Sequence, residues 1–185
     1  RQETELLVEE VLRVCDGKDV LDMCCGSGCI IISLAKLGKP ARATGADISD
    51  KALVLARKNA LKHRVNVDFV KSDLFAEICG SFDIIISNPP YIPTSEIESL
   101  MPEVRDHEPR LALDGYMDGL EFYRRIADAS RKHLKKGGQI FFEIGYNQAE
   151  AVGQILSNAG FCDLVVKKDL SGLEDSIRKM ALIGG

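Results

Sequence analysis

The chain has 185 residues, of which 45% are hydrophobic and 28% charged, a composition typical of one globular domain with a sizeable core. Its net charge of −4 argues against a nucleic-acid backbone as the main partner. No apolar run approaches the roughly 18 residues of a membrane span. No apolar leader opens the sequence either, so we expect a cytoplasmic domain that does not contact membranes.

Hydrophobic periodicity predicts a first helix over residues 3–14, followed by alternating strands and helices. Strands are predicted at residues 19–23, 41–46, 65–70, 82–87, 139–144, 163–168 and 178–183. Helices are predicted at residues 29–37, 50–63, 120–135 and 148–158, with Lys136-Gly137-Gly138 as the end of the third.

Strands that alternate with helices build a mainly parallel sheet. The last two predicted strands are joined by residues 169–175, which are too few for a crossover helix, so these strands should pair antiparallel. We therefore predict an α/β, Rossmann-like fold. Its sheet is expected to have seven mostly parallel strands, an antiparallel end strand and helices on both faces. The irregular segment 89–119 contains most of the prolines, which favours an active-site loop.

A glycine-containing turn follows the first strand, in the sequence Asp22-Met23-Cys24-Cys25-Gly26-Ser27-Gly28. Glycines at a strand-to-helix turn let a ligand approach the backbone at the helix N-terminus. In a doubly wound sheet this turn lies near the topological switch point. For this motif alone, a tight turn without a ligand remains the alternative.

An acidic residue ends the second predicted strand, where Asp47 precedes Ile48. A carboxylate about 20 residues after such glycines accepts hydrogen bonds from ribose hydroxyls. Asp47 could also be a helix N-cap, although Ser49 or Asp50 suits that role better.

The third predicted strand leads into Ser72-Asp73-Leu74-Phe75. Asp73 could accept a hydrogen bond from the exocyclic amine of an adenine, while Leu74 or Phe75 covers the ring. Glycine turn, ribose acid and adenine acid follow successive strands, which together indicates an adenosine-containing ligand.

The identity of this ligand is narrowed by what the glycine turn lacks. A dinucleotide fingerprint needs glycine at the position of Ile31, and no phosphate-binding lysine follows Gly28. The uncharged backbone of the turn therefore suits close contact with a methionine moiety better than it suits a pyrophosphate.

The fourth predicted strand ends in Asn88-Pro89-Pro90-Tyr91, the most specific motif of the chain. The two prolines stiffen the turn and donate no N–H. The Asn88 side-chain oxygen and the Pro89 carbonyl can therefore accept both hydrogens of a planar NH2 group, while Tyr91 packs on its face. Methylation of such a nitrogen by an activated methyl needs alignment more than acid or base. The alternative is an Asx-turn that only ends the strand.

Six cysteines raise the alternative of a metal or disulfide site. They contain no C-x-x-C pair. Cys25 and Cys29 are four residues apart, but no second pair or nearby histidine completes a zinc set. We predict reduced thiols and no metal.

With these motifs in view, the chain resembles class I methyltransferases, and specifically the release-factor glutamine methyltransferases of the HemK type. The resemblance includes Arg1–Glu5, the glycine turn, Asp47, Ser72-Asp73 and Asn88–Ile92. It also includes Glu108-Pro109, Ala112-Leu113, Asp118-Gly119-Leu120, Phe122-Tyr123-Arg124 and Glu143-Ile144-Gly145.

The resemblance implies S-adenosylmethionine as cofactor, S-adenosylhomocysteine as product, and the glutamine of the Gly-Gly-Gln loop of peptide chain release factors as substrate. It implies that Asp22, Cys24–Gly28, Asp47 and Ile48 hold the cofactor, with Ser72, Asp73 and Leu74 around the adenine. Asn88 to Tyr91 would grip the glutamine, Asn88 would also contact the cofactor, and Thr4 and Glu5 would lie near it.

Three positions depart from the family pattern. The family usually has glycine at the position of Cys24, often has an aromatic residue at that of Leu74, and often shows Gly-Gly near Gly115-Tyr116.

The family also carries a helical N-terminal recognition domain. Because this chain begins inside the family's P-R-x-E-T-E segment, we expect it to be the catalytic domain, residues 1–185, of a longer protein. We also expect a monomer. Two alternatives remain open: an adenine-N6 methyltransferase of DNA or RNA with the same Asn-Pro-Pro-Tyr turn, and a silent cofactor-binding scaffold.

Overall fold

The computed structural model of the protein describes residues 2–168 and 180–184. In this part of the chain the helices are α1 (Gln2–Leu12), α2 (Cys29–Leu37), α3 (Asp50–His63), α4 (Pro102–Arg105), α5 (Glu121–Ser130) and α6 (Ala149–Asn158). The strands are β1 (Asp19–Met23), β2 (Arg42–Asp47), β3 (Asp68–Lys71), β4 (Phe82–Ser87), β5 (Leu134–Ile144), β6 (Val165–Lys168) and β7 (Met180–Gly184). Short 3₁₀ helices lie at Thr94–Ser99 and Arg110–Ala112.

The strands form one mixed sheet in the order β3-β2-β1-β4-β5-β7-β6. The first five pair in parallel, whereas β7 is antiparallel to both β5 and β6. The mainly parallel sheet with antiparallel pairing at its end is therefore confirmed. The segment that joins β6 to β7 lies outside the described residues.

Alternate residues of the central strands enter two separate cores. Ile84 and Ile86 of β4 pack on the face covered by α1, α2 and α3, whereas Ile85 packs on the opposite face with Tyr123 and Ile126 of α5. Each of these isoleucines is at most 2% exposed, and full burial of such a side chain contributes about 1.5–3 kcal/mol. Helices on both faces, as predicted, explain why three consecutive residues of β4, Ile84 to Ile86, are all apolar and buried.

The strand order determines where the sheet has a crevice that can hold a ligand. From β1 the chain proceeds to β2 on one side, while β4 pairs with the other side of β1. The loops after β1 and β4 therefore diverge at the carboxyl ends of the strands and leave a crevice between them.

The predicted helix over residues 120–135 is too long. α5 ends at Ser130, and Leu134 already pairs with Phe82 of β4. Gly137, with φ +75°, lies inside β5, where the pairing with β4 shifts register, so the two glycines form a strand irregularity rather than a helix stop. Sheet pairing with β4 overrides the local helical pattern here.

Two other strands begin later than predicted, because of local backbone geometry. The Val65 amide still donates to the Ala60 carbonyl at the end of α3 (3.1 Å), so β3 starts only at Asp68. Asp163 has φ +54°, which strand geometry does not allow, and β6 starts at Val165. β2 is shifted by one residue, and residues 178–179 of the last predicted strand lie outside the described residues.

Within the part of the chain that the structure describes, no helix combines the length and the apolarity needed to cross a bilayer.

Candidate active site

A cavity of about 220 Å³ opens at the carboxyl ends of β1, β2, β3 and β4. Its inner wall comes from the strand ends, and its outer wall comes from residues 109–116 and from α5. It is lined by Met23, Cys24, Gly26, Ala46, Asp47, Ile48, Ser49, Ala52, Ser72, Asp73, Leu74, Asn88, Pro90, Pro109, Leu111, Ala112, Tyr116, Phe122 and Arg125.

The glycine turn after β1 is built from left-handed backbone. Cys24, Gly26 and Gly28 have φ values of +61°, +53° and +77°. A Cβ atom on Gly28 would lie only 3.0–3.3 Å from side chains of α2, α3 and β3, so glycine is required there for space as well as conformation. Cys24, by contrast, holds this conformation at an energetic cost.

Asp47, the last residue of β2, ties the glycine turn to the start of α3. One carboxylate oxygen accepts from the Gly26 amide and the other from the Ser49 amide, each at 2.8 Å. Ser49 rather than Asp47 caps α3, because its hydroxyl accepts from the Ala52 amide. Each carboxylate oxygen of Asp47 can accept a further hydrogen bond, which leaves capacity for a ligand.

Asp22 lies behind the glycine turn and is fully buried, so it does not form the cavity wall. Its Oδ2 accepts from the Ile31 amide (3.2 Å) and thereby caps α2, because the N-cap residue Gly28 has no side chain. Its Oδ1 has no hydrogen-bond partner among the described residues. Desolvation, with a smaller contribution from the Asp47 charge, raises the pKa of Asp22 to about 8.

The segment Ser72–Phe75, which follows β3, contains a strained residue held by a serine. Leu74 has φ +49°, and the Ser72 hydroxyl donates to its carbonyl at 2.5 Å while accepting from the Glu77 amide. Leu74 lines the cavity; Phe75 instead stacks on His133 with ring centroids 4.8 Å apart. Leu74 is therefore the residue that faces a ligand.

Asp73 is paired with Arg125, a residue that the sequence analysis did not single out. Its Oδ1 accepts from Nη2 of Arg125 at 2.9 Å, and both side chains are partly exposed at the cavity. The pair joins the β3 edge to α5, across 52 residues of sequence.

The Asn88–Tyr91 turn begins where β4 is held against β1. The Ser87 hydroxyl donates to the Met23 carbonyl at 2.6 Å, which fixes the start of the turn beside the glycine turn. Asn88 and Pro90 line the cavity, Pro89 is buried, and Tyr91 packs against the core.

Residues 92–119, here called the lid segment, fold back onto this turn. The Ile92 amide donates to the Leu113 carbonyl (3.0 Å), and the Gly115 amide donates to the Ile92 carbonyl (2.8 Å). The lid segment thereby brings Leu111 and Tyr116 to the cavity. The irregular segment that the sequence favours as an active-site loop thus forms the outer wall.

Two glycines let the lid segment approach the turn closely. A Cβ atom on Gly115 would lie 2.8 Å from the Cα of Tyr91, and one on Gly119 would lie 2.3 Å from the Tyr91 carbonyl oxygen. Tyr116, between them, has φ +67°.

Sequence analysis missed two polar side chains beside the site, because most of their partners are distant in sequence. The Gln148 amide contacts the backbone of Tyr91, Gly119 and Gly145. Asn59 of α3 donates to the Ser27 carbonyl in the glycine turn at 3.0 Å.

The sequence-predicted site residues divide into two groups. Those that line the cavity are Cys24, Gly26, Asp47, Ile48, Ser72, Asp73, Leu74, Asn88 and Pro90. Those that lie behind or beside its wall are Thr4, Asp22, Cys25, Ser27, Gly28, Pro89 and Tyr91. Thr4 is joined to the sheet, since its hydroxyl donates to the buried Glu143 carboxylate at 2.9 Å.

The cysteines show no metal-binding or disulfide arrangement. No group of three His, Cys, Asp or Glu side chains that could hold an ion occurs within the described ranges, and no disulfide is formed there. Burial, followed by the nearby Asp47 and Asp22 charges, raises the pKa of the Cys24 thiol. Cys24 is therefore a neutral group of the cavity wall.

Comparison with known proteins finds related methyltransferases. Residues 2–104 match the family model described as the methyltransferase small domain. The release factor glutamine methyltransferase of Clostridium acetobutylicum is 42% identical over all of this chain, which spans 67% of that protein. The chain belongs to the release factor glutamine methyltransferase family. The corresponding enzyme of Geobacter sulfurreducens is 45% identical over 94% of the chain.

The fold of this family member also resembles solved structures of low sequence identity. A methyltransferase from Pyrococcus furiosus superposes with a TM-score of 0.73 at 18% identity, over 98% of this chain and 80% of that one. The chain spans 62% of the length of the Geobacter relative. The additional recognition domain expected from the resemblance stays a prediction.

Proposed function

We propose that this protein transfers the methyl group of S-adenosylmethionine to the side-chain amide nitrogen of the glutamine in the Gly-Gly-Gln loop of release factors. S-adenosylhomocysteine is the second product. One observation carries the proposal: Asn88 lines the same cavity as Asp47 and Asp73, so the amide-binding turn and the nucleoside-binding acids share one space. Membership of the release factor glutamine methyltransferase family supports the choice of acceptor.

The residues around the cavity fit this cofactor. Asp47 keeps acceptor capacity for the ribose hydroxyls, and Asp73 lies where an adenine amine can reach it. Arg125, the one cation in the described wall, is paired with Asp73, and so a pyrophosphate would find little to bind.

The Asn88–Tyr91 turn would hold the acceptor amide. The Asn88 side-chain oxygen and the Pro89 carbonyl would accept its two hydrogens and orient the nitrogen. When bound, the cofactor supplies an electrophilic methyl group, so alignment replaces a strong base. The turn would hold the acceptor nitrogen in place while it takes up the methyl group, and one of its two protons would pass to solvent.

We infer that the enzyme acts as a monomer in the cytoplasm, where release factors act, and on a protein rather than a nucleic acid. The net charge of −4 supports a protein substrate, because a nucleic-acid enzyme uses a basic surface.

Transfer of labelled methyl to purified release factor tests the acceptor. The comparison includes a release factor with Gln→Asn in its Gly-Gly-Gln loop, and adenine-bearing DNA. We expect label on the wild-type factor alone. Label on DNA would overturn the glutamine assignment in favour of adenine methylation, and no transfer to either would favour a scaffold.

Replacement Asn88→Ala tests the turn. It removes the side-chain acceptor of the amide, and we expect kcat to fall by at least roughly 100-fold while affinity for S-adenosylmethionine changes little. Asn158→Ala, on the exposed end of α6, is the matched control and should retain full activity. Unchanged turnover in Asn88→Ala would contradict the proposed chemistry.

A further inference from the structure

Gln148 is a nearly buried amide (7% exposed) at the N-terminus of α6, away from the cavity wall. Its Nε2 donates to the Tyr91 carbonyl at 2.9 Å and to the Gly119 carbonyl at 3.4 Å. Its Oε1 accepts from the Gly145 amide at 2.9 Å. One side chain thus contacts the backbone of three separate loops.

Each of these loops has a separate place in the site. Tyr91 closes the Asn88–Tyr91 turn, whose two prolines leave it few internal degrees of freedom. Gly119 ends the lid segment just before α5, which carries Phe122 and Arg125 into the cavity wall. Gly145 follows the last residue of β5. Because the turn is stiff, a shift at Tyr91 is transmitted to Asn88.

The structure assigns Gln148 as a positioning residue for methyl transfer. Its amide fixes the Asn88–Tyr91 turn and the end of the lid segment at one separation above the cavity. The expected effect on catalysis rests on the proposed function. The hydrogen bonds of Gln148 are present whatever the methyl acceptor is.

The chemistry of the contact requires an amide. Two carbonyl oxygens converge on Nε2, and only a donor with two hydrogens serves both, while Oε1 must accept from Gly145. Gln148 also packs tightly against Gly119, since a Cβ atom on Gly119 would lie 2.8 Å from Nε2 of Gln148. An apolar side chain would leave these backbone groups without their partner, and a shorter amide would not reach them.

Two substitutions test the assignment. Gln148→Leu removes the hydrogen bonds at similar volume. Gln148→Asn shortens the side chain by one methylene but keeps an amide that suits a helix N-cap, so it should fold even if the leucine variant does not. Gln154→Leu, an exposed glutamine of α6 bonded to Asn158, is the matched control.

For both Gln148 variants we expect kcat to fall at least tenfold, because small misplacements of reacting groups cost one to two orders of magnitude. Affinity for S-adenosylmethionine, measured by calorimetry, should stay within about threefold, since Asp47 and the glycine turn lie elsewhere. If Gln148 only stabilised the fold, kcat, the affinity for S-adenosylmethionine and the fraction of folded protein would instead all fall together.

Hydrogen exchange provides a readout that needs no substrate. The amides of Ile92, Thr94 and Gly115 bond across the lid segment, and in both variants they should exchange faster while those of β1 stay protected. Unchanged exchange there, or kcat within threefold of the wild type, overturns the assignment of Gln148. Failure of the wild-type enzyme to methylate release factor overturns the proposed function instead, and exchange then decides alone whether Gln148 holds the turn.

Discussion

At the scale of single residues, Cys24 shows how much strain the glycine turn contains. Its φ of +61° is costly for any residue with a Cβ atom, and the family usually has glycine there. We predict that Cys24→Gly raises the free energy of unfolding by about 1 kcal/mol, measured by urea denaturation. The control is Cys79→Gly, at an exposed position without positive φ, which should bring no gain. A Cys24→Gly variant no more stable than wild type would refute the strain.

At the scale of elements, one carboxylate adds to the backbone hydrogen bonds that hold the lid segment together. Asp114 accepts from the Thr94 hydroxyl (2.6 Å) and the Tyr116 amide (3.0 Å), and the Thr94 bond in particular lowers the pKa of Asp114. A lowered carboxyl pKa means that this support is present above the ordinary pKa and is lost only as pH falls through the lowered value.

We therefore predict that Thr94→Val loosens the lid segment equally across neutral and alkaline pH. A hydrogen bond to a charged group contributes about 1.5 kcal/mol, so the lid segment should open about tenfold more often, and both entry and release of S-adenosylmethionine should accelerate about tenfold in stopped-flow measurements. Ser99→Ala, which removes an exposed hydroxyl bond within the same segment, should leave the release rate unchanged. A rate equal to wild type in Thr94→Val would show that this bond does not hold the lid segment closed.

At the scale of the whole molecule, Asp22 makes stability depend on pH in an unusual direction. Its pKa rises from 3.8 to about 8 on folding, so the folded state holds a proton that the unfolded state has released. Stability should therefore fall as pH rises between these values, by up to about 1.4 kcal/mol per pH unit.

We predict that Asp22→Asn abolishes this slope in urea denaturation of the cofactor-free protein between about pH 5 and pH 8. The carboxyls with lowered pKa, such as Asp83 and Asp118, act below this window and in the opposite direction. Asp16→Asn, at an exposed position, should keep the wild-type slope. An identical slope in Asp22→Asn would show that the buried carboxyl is not its source.

The parts of the site that could be predicted are short motifs of consecutive residues. The glycine turn, Asp47 and Asn88-Pro89-Pro90-Tyr91 each follow a strand, and parallel strands bring their carboxyl ends to one edge. The cavity wall accordingly contains Gly26, Asp47 and Asn88. Their order along the chain was sufficient, because right-handed parallel connections leave few other arrangements.

The sequence by itself determined the mainly parallel sheet and the positions of Asp47, Asp73 and the Asn88–Tyr91 turn at the carboxyl ends of its strands, since each depends on local pattern and short-range backbone geometry. Only the tertiary structure decided that Arg125 pairs with Asp73, that Gln148 holds Tyr91, and that α5 ends at Ser130. The first two are contacts across 52 and 57 residues, and the third follows from the pairing of Leu134 with β4. Such long-range partners leave no periodic signal in the chain, because their energy comes from groups that become neighbours only after folding.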